Sequence, residues 1–135
     1  MHIVVAPNAF KNSLTAMEAA RAIELGLTAS RFTGTVDCFP IGDGGDGTGE
    51  LIIQHLRGQV VSVPVRDPLG RNIHAGFGLI DEGMTAVIEM AGASGLRLLA
   101  AGELAPLRAS SFGTGEMIQY ALDRDVRKII LGIGG

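Results

Sequence analysis

The chain has 135 residues, of which 47% are hydrophobic, 19% are charged and 20 are glycine. This is the composition of a folded domain with its own core, or at most two small subdomains, and it excludes a disordered tail. A net charge of -3 with scattered basic residues offers no positive field to nucleic acid or to a membrane surface, and neither is expected as a partner.

Cys38 is the single cysteine, so no intrachain disulfide can form. The sequence after Met1 lacks a signal-peptide pattern, and no stretch reaches the roughly 18 apolar residues of a membrane span. The expected location is the cytoplasm.

Residues 2–6 are a β-favouring apolar run halted by Pro7, which predicts a first strand buried on both faces of a parallel sheet. Thr15 followed by Glu18 makes a capping box. Ala16, Ala19, Ala20, Ile23 and Leu27 then recur at helical spacing, so one face of a helix packs on that sheet. A second strand is expected over 36–41. It enters the loop Gly42-Asp43-Gly44-Gly45-Asp46-Gly47-Thr48, after which Leu51, Ile52, His55 and Leu56 restore a helical period that Gly58 would stop.

Between 60 and 90 the period changes to two, through Val61, Val63 and Val65, then Ile73, Ala75, Phe77 and Leu79, then Met84, Ala86, Ile88 and Met90. Three antiparallel strands are predicted, turning at Asp67-Pro68-Leu69-Gly70 and at Asp81-Glu82-Gly83. The chain is irregular over 91–107. Thr114 then caps a helix bearing Met117, Ile118, Ala121 and Leu122, and a last strand over 128–133 runs into Gly134 and Gly135. A β-rich stretch inside an alternating strand-helix rhythm predicts one α/β domain inserted into another. A parallel three-layer domain of flavodoxin- or Rossmann-like kind is expected from 1–62 and 107–135, incomplete at its carboxyl end, with the start of an inserted β-rich domain over 63–106.

The loop at 42–47 spells G-x-G-x-x-G, with Asp67 twenty residues after Gly47, so a dinucleotide fingerprint is formally met. Physically it is a poor one, because Asp43 and Asp46 put carboxylates where a pyrophosphate would lie and Asp67 sits in a turn. A P-loop would need a lysine before Thr48, where Gly47 stands. What remains is an acidic glycine loop entering a helix: its amides at Gly44, Gly45, Gly47 and Thr48 favour an anion, and Asp43 and Asp46 favour Mg²⁺, a pairing suited to metal-bound phosphate. The plainer reading is a tight turn in which Asp46 or Thr48 caps the helix.

Asn8, Lys11 and Ser13 follow the first strand, which puts Lys11 near the carboxyl edge of the sheet, able to hold a phosphate or an acidic substrate. Alternatively Lys11 is solvated and Ser13 is a second helix cap. Gly113-Thr114-Gly115 offers another helix N-terminus to an anion, or Thr114 is only a cap. Glu89 reads as an outward-facing residue of a half-exposed sheet. His2, His55 and His74 lack metal-ligand spacing, and no Ser-His-Asp order, cysteine pair or H-E-x-x-H helix supports a hydrolase or zinc reading. The residues by themselves describe a phosphate-handling α/β protein.

The segment from Ala6 to Leu14, Ala-Pro-Asn-Ala-Phe-Lys-Asn-Ser-Leu, resembles the opening of the bacterial glycerate kinases, where an aspartate and a serine usually stand at the positions of Asn8 and Ala9. Gly42 to Thr48, Asp67-Pro68-Leu69-Gly70-Arg71, Ala86 to Ala91, Ala93-Ser94-Gly95-Leu96, Phe112 to Glu116 and Ile130 to Gly135 follow in the family's order. The resemblance implies ATP-dependent, Mg²⁺-assisted phosphorylation of a glycerate hydroxyl, in an enzyme of the glycerate 2-kinase or 3-kinase type. It places Lys11, Asp43 and Asp46, with Gly44, Gly45 and Gly47, at the active cleft.

Together with the reading above, the expected catalytic residues are Lys11, Asp43 and Asp46, the two aspartates also being metal ligands. Asn8, Ser13, Gly44, Gly45, Gly47, Thr48, Thr114, Gly115, Gly134 and Gly135 are expected to bind substrate or nucleotide. Family members are well over twice as long, so the expectation is an amino-terminal portion, inactive alone, that self-associates or joins the remainder of the enzyme. The alternative is a non-catalytic module binding nucleotide or a partner.

Overall fold

The apolar run at the amino terminus becomes strand β1 (His2–Val5) in a computed structural model that describes residues 1–10 and 13–134. Lys11, Asn12 and Gly135 lie outside the described residues. The chain divides into two compact units, Met1–Asp43 and Gly44–Gly135.

In the first unit β1 pairs in parallel with β2 (Thr35–Cys38), His2 opposite Thr35 and Val5 opposite Cys38, as two strands joined by a helix require. The connecting helix, α1 (Ala16–Thr28), starts at the capping box read from the sequence. The Thr15 hydroxyl accepts from the Glu18 amide at 3.2 Å, and the Glu18 carboxylate accepts from the Thr15 amide at 2.8 Å. The Thr15 amide, and the Thr15 hydroxyl at 2.9 Å, both donate to the Glu18 carboxylate and hold it below its ordinary pKa. Ala16, Ala19 and Ala20 are buried, their small side chains bringing α1 close. The expectation that β1 is buried on both faces is not met: Val5 is buried but Val4 is 57% exposed. Within this unit a two-stranded sheet has one helix to cover it, and one helix shields one face.

The second unit carries a four-stranded sheet in the order β3 (Gln59–Arg66), β4 (Asn72–Ile80), β5 (Thr85–Glu89), β6 (Lys128–Gly132). The first three strands form the antiparallel meander that their period-two alternation predicts. Strand β6 then lies parallel to β5, Ala86 opposite Ile129 and Glu89 opposite Gly132, so the last strand joins the sheet of the meander. Helices α2 (Thr48–His55), α3 (Met90–Ser94) and α4 (Phe112–Leu122) complete the unit. Alternate residues of the strands, Val63, Val65, Ala75, Phe77, Ala86 and Ile88, pack with Met117 and Ala121 of α4 into one core. Burying a side chain of the size of Phe77 contributes about 2 kcal/mol.

Two predicted helix boundaries shift. Helix α2 is stopped by Arg57, whose φ of 53° is left-handed, rather than by Gly58. A Cβ on Gly58 would come within 2.7 Å of the Leu79 carbonyl oxygen, so this glycine permits a close approach to β4. Helix α4 starts at Phe112, which puts Thr114 inside its first turn and not at its cap.

The β3–β4 turn is pinned by Asp67, whose buried carboxylate accepts from the Leu69 and Arg71 amides, both at 2.9 Å, and pairs with the Arg71 guanidinium at 2.5 Å. Burial pushes the Asp67 pKa up, but the bonds from Arg71 and Leu69 outweigh it and leave the carboxyl below its ordinary value. Arg71 also donates to Glu103 at 2.6 Å and to the Leu98 carbonyl at 3.2 Å, tying the irregular 95–110 segment to this turn.

Candidate functional site

The acidic glycine loop follows β2 and enters α2, spanning the junction of the two units. On the first unit, Asn8 follows β1 and Asp43 lies beyond β2, and because these strands are parallel neighbours their succeeding loops meet at the carboxyl edge. The Asn8 Nδ2 donates to Asp43 Oδ2 at 3.0 Å, and Asn8 Oδ1 accepts from the Ala9 amide at 2.7 Å. An aspartate at position 8 has no N–H to donate, so amide chemistry sets this contact. Ser13 is exposed and its amide donates to the Phe10 carbonyl at 2.9 Å; Thr15, not Ser13, caps α1. Lys11, the expected charge-stabilising residue, lies outside the described residues.

On the second unit, the loop runs from Gly44 to Thr48. Gly47 is the N-cap of α2 in a left-handed conformation, φ 86°, and no side chain caps the helix from that position. The plainer reading, a cap supplied by Asp46 or Thr48, is therefore not what forms. The Thr48 hydroxyl instead accepts from the Gly44 amide at 3.1 Å, closing the loop on itself. The Gly134 amide donates to the Gly44 carbonyl at 2.8 Å, and a Cβ on Gly134 would stand 2.5 Å from the Gly45 backbone. Lacking that atom, the segment after β6 lies directly against the loop. Gly44, Gly45, Gly47, Thr48 and Gly134 are thus brought together at the carboxyl end of β6; Gly135 lies outside the described residues.

Two residues outside the expected site join this cluster. Glu89, the last residue of β5, accepts from the Gly49 amide in the first turn of α2, Oε1 to N 2.7 Å, and is half-buried rather than an outward-facing sheet residue. Arg97 approaches Asp46, Nε to Oδ1 3.7 Å, with both side chains about half exposed. The signal available for Glu89 was its place as the sole acid at the carboxyl end of an apolar strand.

The polar groups of the Gly113-Thr114-Gly115 helix entrance have partners within the chain. Thr114 is buried and its hydroxyl shares a 2.7 Å bond with Ser94 Oγ, while the Gly115 amide is already used by the Ser111 carbonyl at 3.3 Å. Gly113 is there because any Cβ would overlap the Arg66 carbonyl oxygen of β3. Asp67, which a dinucleotide site would need for the ribose, is consumed by Arg71 in its turn. A cleft of about 310 Å³ beside α4, walled by Arg66, Asn72, His74, Glu116 and Tyr120 among others, contains none of the predicted site residues.

Among the described residues no three His, Cys, Asp or Glu side chains gather as a metal cage. Mg²⁺ is commonly held by one or two carboxylates with substrate phosphates completing its shell.

The model of the glycerate kinase family matches residues 3–135. A glycerate kinase of Haemophilus influenzae is 44% identical over all of this chain and 36% of its own length. A glycerate 2-kinase of Escherichia coli is 44% identical over all of this chain and 35% of its own length. A solved Salmonella typhimurium structure assigned as a glycerate kinase 2 superposes with a TM-score of 0.76 at 44% identity, covering all of this chain and 36% of that one. The chain therefore spans about a third of the length of the relatives it matches. Across that span, sequence and fold agree on one assignment: the chain belongs to the glycerate kinase family.

Proposed function

We propose that this chain forms part of a kinase that moves the γ-phosphoryl group of ATP onto a hydroxyl of glycerate. The observation that carries the reading is the seating of the Gly44–Thr48 loop at the carboxyl ends of the parallel strands β5 and β6, the edge at which open α/β sheets bind ligands. Names carried by the relatives, glycerate kinase and glycerate 2-kinase, supply the substrate.

In the transfer, the bond from the γ-phosphorus to the ADP oxygen breaks and a bond to the glycerate oxygen forms, while the hydroxyl proton leaves to a carboxylate or to water. Lys11 stabilises negative charge on the glycerate carboxylate or the migrating phosphoryl group. Asp43 and Asp46 hold the metal or orient the attacking hydroxyl, and Asn8 fixes Asp43 through its amide. Mg²⁺, when bound, neutralises phosphate charge as it develops. The backbone of Gly44, Gly45 and Gly47 lets phosphate approach without side-chain interference. A cytoplasmic setting, self-association, and the insertion of residues 63–106 into a domain built from 1–62 and 107–135 belong to the same proposal.

The test is calorimetric titration of the chain with ATP in the presence of Mg²⁺ and with D-glycerate, alongside ADP release against a no-glycerate control. Binding of at least one ligand is expected, without glycerate-dependent ADP release from this portion alone. A chain that binds neither ligand and releases no ADP overturns the reading.

A further inference from the structure

Glycine loops that lead into helices usually hold phosphate because the first helical amides have no partner and the helix dipole is positive there. Helix α2 departs from that pattern. Its Gly49 amide is taken by the chain's own carboxylate, Glu89 Oε1, at 2.7 Å. The contact is built in from both sides. Gly49 is buried, and a Cβ on it would come within 2.9 Å of Glu89 Cγ, so a glycine is what admits the Glu89 stem to the helix end. Glu89 in turn sits opposite Gly132 in the parallel β5–β6 pair, and a Cβ on Gly132 would stand 3.0 Å from the Gly44 carbonyl oxygen. One carboxylate thus anchors the helix start, and the loop before it, to the carboxyl ends of two strands.

We propose that Glu89 is a positioning residue that acts as the resident anion of α2, holding the glycine loop in place and closing the helix end to free phosphate. Deepening the phosphoryl-transfer reading and resting on it for its relevance to catalysis, the proposal makes its own demand on the chain: a fixed negative charge at the helix end repels a bare anion, so phosphate reaches the loop accompanied by a divalent cation. Asp46, the exposed carboxylate of the loop's second half, lies 3.7 Å from the Arg97 guanidinium and adds a second negative charge on that side of the loop.

The experiment is amide-resolved NMR of the 135-residue chain and of Glu89→Gln, titrated with inorganic phosphate without divalent ions and, separately, with ATP and Mg²⁺. Gln keeps an acceptor for Gly49 and removes the charge. The wild-type Gly49 and loop amides are expected to be unmoved by millimolar phosphate, and Glu89→Gln, with the repelling charge gone, is expected to bind phosphate about fivefold more tightly, read across the loop amides and Gly49. A merely structural Glu89 would leave the two proteins equal toward phosphate, and that result overturns the proposal, as does phosphate shifting Gly49 in the wild type. If Glu89→Gln fails to fold, the wild-type titration decides alone. No response to ATP with Mg²⁺, beside the expected phosphate result, sinks the kinase reading and leaves the role of Glu89 standing.

Discussion

Two glycine-rich segments of the second unit lead into helices, at 44–48 and at 113–115, and they use glycine for opposite reasons. In the first, Gly44 and Gly47 have φ of 91° and 86° with open space where a Cβ would go, so backbone conformation is the requirement. In the second, Gly113 has an ordinary helical backbone, and what it provides is space, since α4 crosses β3 with the Arg66 carbonyl against it. A loop that must turn sends its backbone groups to partners outside the helix, the Gly44 amide to the Thr48 hydroxyl and the Gly44 carbonyl to the Gly134 amide beyond β6. A helix that must pack uses its amides internally and buries its hydroxyl, as Thr114 does against Ser94. Glycine pattern alone does not tell the two segments apart; the φ angle and the destination of the amides do.

The largest test of this contrast is Gly113→Ala. The new methyl has no room against the Arg66 carbonyl, and about 3 kcal/mol of stability should be lost, read as a lowered urea midpoint. A loss under about 1 kcal/mol would mean that α4 can shift away from β3 at little cost, and the packing account would fail.

Gly47→Ala should cost less, about 1–2 kcal/mol, because the penalty is a left-handed backbone and not a clash. Its sharper signature is a displaced Gly44–Gly134 amide contact, visible as faster exchange of the Gly134 amide; unchanged exchange would show that the loop does not depend on Gly47.

Gly115→Ala should reverse the sign. Gly115 is exposed, helical and has nothing within 4 Å of its Cβ direction, so alanine should stabilise α4 by up to about 1 kcal/mol. Destabilisation would restore a special role for that glycine.

The smallest effect appears only in acid. The carboxyl of Asp67, the residue after Arg66, is held below its ordinary pKa by Arg71 and Leu69, so the unfolded chain takes up its proton first. Its stabilisation is complete above the unfolded value of about 3.9 and declines as pH falls through the lower folded value. Urea midpoints measured from pH 7 to pH 2 should fall at the acid end, and Asp67→Asn should flatten that fall. An equal fall in the variant would assign it to other carboxylates, such as Glu103.

Local chemistry made much of this molecule legible from its residues. The Thr15–Glu18 box, the period-two meander and the turn at Asp67 depend on neighbours in sequence, and each formed as the spacing requires. The acidic loop was also legible as a strand-to-helix connection, since glycines and aspartates between two periodic segments leave few other conformations. Glu89 was misread because an acid ending an apolar strand looks the same whether it meets solvent or a helix amide forty residues earlier. The cap at Thr114 was misread because a Gly-Thr-Gly helix entrance does not reveal which carbonyl lies across from its first glycine. The sequence by itself determined the strands, helices α1, α2 and α4 and the Thr15–Glu18 cap, because those are set by contacts a few residues apart. Tertiary structure alone decided that β6 joins the meander, that Gly113 packs and that Glu89 closes the end of α2, because each of these depends on which distant backbone comes within bonding reach.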